Sequence, residues 1–83
     1  MSEEKQVESQ ELTYGEQAVG LTFNPSNNSS VDACKRAFAS IIDQLNKMRQ
    51  ETEDGEQKRL LSIAITEAQS AQMWAVKAIT WKM

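Results

Sequence analysis

The last third of the chain carries more apolar surface than one short protein can cover. Glu56 to Met83 reads as one uninterrupted helix. Its seam of Leu61, Ala64, Ala68, Ala71, Ala75 and Ala78 advances by alternating steps of three and four residues, which puts all six on one face. A second stripe, Leu60, Ile63, Trp74 and Trp81, lies off that seam, with Met73, Val76 and Ile79 nearby. A helix that is apolar on one face packs once, whereas one that is apolar most of the way round needs cover on several sides. A chain of 83 residues does not supply those sides itself. The expectation is an oligomer.

Other sources of stability are scarce. Domains of this size often rely on disulfides, metals or partner subunits. A single cysteine, Cys34, excludes an internal disulfide, and the absence of histidine argues against a usual zinc site. No apolar run reaches the 18 residues of a membrane span. The start, Met1 to Gln10, is polar and acidic, the opposite of a signal peptide, and a cytoplasmic compartment fits the lone thiol. Net charge is −3. In the first 20 residues five glutamates oppose Lys5, a balance of −4, so the remainder carries +1. No basic stripe marks the chain as a DNA or RNA binder, but a small anion needs only a few placed cations.

The pattern along the chain predicts an all-α fold. Residues 1–11 read as a flexible acidic tail, and residues 12–83 as one helical-hairpin domain. Leu12 to Gly20 accommodates a short helix, which Gly15 weakens and Gly20 ends. Leu21 to Asn28 is a loop, with Pro25 holding Asn24 extended and Asn27-Asn28 suited to a turn. The first long helix is expected from Ser29 or Ser30, with Ser29 and Asp32 as a capping box, to about Gln50. Val31, Cys34, Phe38, Ile41, Leu45 and Met48 give it a heptad core stripe, with Ile42 alongside. Gly55 is expected to end the turn in a left-handed conformation before the last helix. Two such helices joined by a short turn form an antiparallel hairpin.

Candidate chemistry points to binding. Without histidine, and without a nucleophile or phosphate-loop motif, an enzyme is hard to build. Cys34, on the apolar stripe, reads as a core residue; Asp43 and Glu67 read as solvated carboxylates. An anion site is easier to assemble, since a helix start offers free N–H groups. Lys35 and Arg36 follow such a start, and Phe23-Asn24-Pro25 precedes it. A base stacked on Phe23 with a phosphate at Lys35 is one reading; a hairpin plug and a solvated lysine is the other. Lys58 and Arg59 open the last helix, where cations oppose the dipole, with Asp54 and Glu56 as nearby acids. Trp74 and Trp81, seven residues apart, read as core or interface before base platforms.

Three stretches carry a family resemblance. They are Gly15-Glu16-Gln17-Ala18-Val19-Gly20-Leu21-Thr22-Phe23-Asn24-Pro25-Ser26, the Ile41-Ile42-Asp43 helix, and Lys58-Arg59-Leu60-Leu61-Ser62-Ile63-Ala64-Ile65-Thr66 with Met73-Trp74-Ala75. Together they resemble the phage cyclic-nucleotide sponges that counter bacterial CBASS immunity, whose hairpin also occurs in sponges directed at Thoeris defence. The resemblance spans about residues 12–82. It implies a compact homo-hexamer in the cytoplasm of the infected host. Such a protein sequesters cyclic dinucleotides such as cyclic GMP–AMP in pockets shared between protomers. It holds cyclic trinucleotides at a separate three-fold site, cleaves neither, and needs no cofactor, metal, nucleic acid or membrane.

The resemblance also implies site residues. Phe23 stands where the family usually has a base-stacking tyrosine, followed by Asn24 and Pro25, and Tyr14 is a candidate to replace that tyrosine across an interface. Lys35, or else Arg36, matches the phosphate-contacting residue of the first long helix. Arg59 matches the trinucleotide-site arginine, with Lys58 and Thr66 in the same motif. The rival reading is a structural or adaptor hairpin that docks a partner protein.

Overall fold

The computed structural model describes residues 11–82; the expected tail lies outside them except for Glu11. Three helices follow one another: α1 (Tyr14–Ala18), α2 (Ser29–Glu51) and α3 (Gly55–Ile79). The long pair forms the hairpin, and α1 packs against α2.

Local chemistry sets each boundary. Thr13 caps α1: its hydroxyl accepts from the Glu16 amide while the Glu16 carboxylate accepts from the Thr13 amide, each at 3.0 Å. Gly20, at φ +64°, ends it. The Gly20 amide donates to the Gln17 carbonyl and the Leu21 amide to the Glu16 carbonyl, a Schellman closure that turns Leu21 into the core. Asn28, not a serine, caps α2, its side-chain oxygen accepting from the amides of Ser30 (2.7 Å) and Val31 (3.3 Å). The expected Ser29–Asp32 capping box is therefore absent. An asparagine can accept from both amides at once, and Asp32 instead pairs with Arg36. Likewise Asp54 caps α3, which makes Gly55 its first residue and not a left-handed stop.

The core joins all three elements: Val19 and Leu21 after α1, Ala39 and Ile42 on α2, and Ile65 on α3, flanked by Ala18, Phe38, Leu45 and Ala68. The buried face of α2 is Val31, Lys35, Ala39 and Ile42, rotated from the expected heptad, so that Ile41 and Met48 face outward. On α3 the buried positions are Leu61, Ile65 and Gln72. The alanine seam is corrected accordingly: Ala64, Ala68 and Ala75 are half-buried, while Ala71 and Ala78 are exposed. Leu60, Ile63, Met73, Trp74 and Trp81 are exposed, as a stripe off the hairpin seam should be. Cys34 is half-buried rather than core.

Gly15 explains the rotation of α2. A Cβ at this position would stand 2.1 Å from the Ala39 carbonyl oxygen and 2.9 Å from Asp43 Oδ1. The bare backbone lets α1 sit directly on α2, and small Ala39 faces it. The Gly15 amide donates to Asp43 Oδ1 at 2.7 Å. Asp43 is thus a half-buried acceptor that fastens α1, which corrects its reading as a solvated carboxylate.

Candidate functional site

The α1 seat and the loop after it shape an open groove of about 510 Å³ against α3. One wall is Ala18, Val19, Gly20 and Phe23; the other is Gln69, Gln72, Met73 and Val76 of α3, with Lys35 of α2 between them. Positions 69, 72, 73 and 76 share one helix face, so α3 presents them together. Phe23 is 71% exposed and offers a ring face. A second hollow of about 280 Å³ continues past Phe23 to Asn24, Pro25, Ser26 and Thr80.

Lys35 is only 5% exposed, which corrects its reading as a solvated lysine. Its aliphatic stem is buried and its ammonium emerges under the loop. Nζ donates to the Gly20 carbonyl at 2.9 Å and to the Phe23 carbonyl, and lies 5.6 Å from the centre of the Phe23 ring. An ammonium carries three donors, so the two carbonyls leave one for an occupant of the groove. The same side chain therefore fixes the aromatic and supplies positive charge beside it.

The other expected residues are distributed around this centre. The Asn24 side chain is engaged by its own loop: Nδ2 donates to the Asn28 carbonyl at 3.0 Å, and Oδ1 accepts from Ser26 Oγ at 3.0 Å and from the Asn28 amide at 3.4 Å. With Pro25 it builds the turn that carries Phe23. Arg36 faces a separate hollow with Thr22, Asn27 and Ser29, and pairs with Asp32 at 2.8 Å. That hydrogen bond holds its guanidinium above the ordinary value. Tyr14 lies under the Arg49 guanidinium, 5.5 Å from ring centre to Cζ, at the far end of α1 from Ala18. Arg49 also donates to Ser62 Oγ and Asn46 Oδ1, clasping the three helices together.

Arg59 and Thr66 meet on α3, lining a shallow hollow of about 350 Å³ with Ser62, Ile63 and Glu67. Lys58 is exposed one residue along, turned about 100° away on the helix. Arg59 makes a two-point pair with Glu56, at 3.1 and 2.7 Å. The bond holds the Glu56 carboxyl below its ordinary range and offsets the cation's unfavourable place near the helix start.

Gln69, Gln72, Met73 and Val76 were not foreseen as site residues. Their spacing is a detectable signal, but only the seating of α1 shows which face of α3 meets Phe23. Among the described residues no group of histidine, cysteine or carboxylate side chains is arranged to hold a metal, and no helix is long and apolar enough to cross a membrane.

A helical hairpin whose loop aromatic and buried lysine open onto a ligand-sized groove has the features of a small-molecule binding protein. The family model of the Acb2/Tad1 hairpin domain matches residues 15–80, from the glycine that seats α1 to the C-cap of α3, and the chain belongs to that family. Its members are known for sequestering cyclic nucleotides, and it is not a known enzyme family. No curated protein and no solved structure matches the chain.

Proposed function

We propose that this protein is a non-catalytic sponge for host cyclic oligonucleotide messengers, acting in the cytoplasm of the phage-infected cell to block CBASS immunity. Cyclic dinucleotides such as cyclic GMP–AMP occupy the groove beside Phe23. Cyclic trinucleotides bind at the hollow formed by Arg59 and Thr66, where copies of α3 meet in a homo-hexamer. The observation that carries this reading is the pairing of Phe23, exposed and flat, with the buried Lys35 ammonium under the same loop. A base stacked on an aromatic ring contributes about 1–3 kcal/mol, and a charge-assisted hydrogen bond to phosphate about 1.5–3 kcal/mol. Repeated by symmetry-related chains, these contacts suit a ligand with two or three identical units. Asn24 and Pro25 act by shaping the loop. Arg36, Tyr14 and Lys58 reach ligand only from a neighbouring protomer.

Two variants test the assignment by calorimetry. Phe23→Leu leaves the Lys35–carbonyl contacts intact and is expected to weaken cyclic dinucleotide binding at least tenfold, with little effect on trinucleotides. Arg59→Ala is expected to do the reverse. Equal losses for both ligands in both variants would refute the two-site arrangement. Binding of neither ligand by the unaltered protein would favour an adaptor hairpin.

A further inference from the structure

We propose that Gln72 reads the base edge in the Phe23 groove and selects a purine that presents an amino donor beside a ring-nitrogen acceptor, as adenine does. The inference rests on the reading of that groove as a cyclic dinucleotide site. Gln72 is a polar side chain only 5% exposed, on the face of α3 that lines the groove. Among the described residues its carboxamide makes no hydrogen bond, yet neither of its polar atoms is sealed away without a partner. What they reach is the groove.

Its neighbour provides the contrast. Gln69 has a structural task, with Nε2 donating to the Ala18 carbonyl at 3.3 Å and tying α3 to α1. Gln72 has no such task, and a buried amide without a partner is unfavourable. Methionine or leucine would pack against Val76 and Met73 without that cost. The groove thus offers a ring face at Phe23, a cation at Lys35, and a donor–acceptor pair at Gln72 among otherwise mostly apolar walls. A nucleobase with its phosphate matches all three. A carboxamide pairs with adenine at two points, its oxygen accepting from the amino group and its nitrogen donating to N7. Guanine shows two acceptors on the same edge, which leaves the carboxamide oxygen without a donor.

Calorimetric titration of the full chain with cyclic di-AMP and cyclic di-GMP tests this. The unaltered protein is expected to bind cyclic di-AMP about tenfold or more tightly than cyclic di-GMP. Gln72→Met is expected to bring that ratio to about one without lowering the unfolding midpoint, because it removes a buried polar group. No preference in the unaltered protein, or the same preference in the variant, would overturn the role of Gln72 while leaving the groove as the site. Binding of neither ligand would overturn the site reading and this inference together. A cyclic di-AMP analogue with carbon in place of N7 tests the point on the unaltered protein, whether or not the variant folds. A loss of about tenfold is expected, and equal affinity would overturn the proposal.

Discussion

Gly15 is the residue on which the geometry of the groove depends. It carries the loop to Phe23 only because α1 lies against the Ala39 carbonyl, a contact no side chain at this position permits. Gly15→Ala is expected to destabilise the fold by about 2 kcal/mol or more, combining overpacking with a strained amide–Asp43 bond. Urea unfolding measures it, and an unchanged midpoint would show that α1 does not seat as described. The sequence alone made this glycine look like a weakness in a helix. The contact that gives it a purpose joins residues 28 apart, which no local pattern encodes. Lys35 was legible as a candidate cation beside Phe23 but not as a buried one, because burial of its stem depends on the same docking. Phe23 itself was legible, since an aromatic before Asn-Pro in a loop has little else to pack on.

At the scale of elements, the three helices and their approximate ends followed from periodicity and turn residues, while the caps and the buried faces did not. Asn28 and Asp54 each bind two free amides of the helix they precede, so each long helix starts at the residue after its cap. The buried face of α2 runs through Lys35 and Ala39 because α1 requires a small residue opposite Gly15, and this turns Ile41 and Met48 outward. The excess apolar surface of α3 was legible from the start, and the hairpin leaves it open: Trp74 is 67% exposed, and the Lys77 ammonium stands 5.5 Å from its ring and 5.8 Å from that of Trp81. That stripe is expected to join protomers. Light scattering at micromolar concentration should report an oligomer for the unaltered chain and a smaller species for Trp74→Glu, in which a charge would be buried at the contact. A monomeric unaltered chain would contradict the burial argument.

At the scale of the molecule, the inventory suits holding a ligand rather than changing it. Stacking on Phe23, one free Lys35 donor and the Arg59–Thr66 hollow provide shape and charge, and the family to which the chain belongs is known for sequestration. The whole-chain resemblance was legible because the loop motif and the Arg59 motif are both local in sequence. The composition of the groove was not, because Gln72 and Phe23 come together only in the folded hairpin. The central claim is that messenger is captured intact, and the most direct measurement is depletion followed by recovery. Cyclic GMP–AMP incubated with excess protein should vanish from the free pool and return unchanged, in full amount, after heat or protease treatment. Ligand that is depleted but returns as cleavage products, or that is never depleted, would contradict the account.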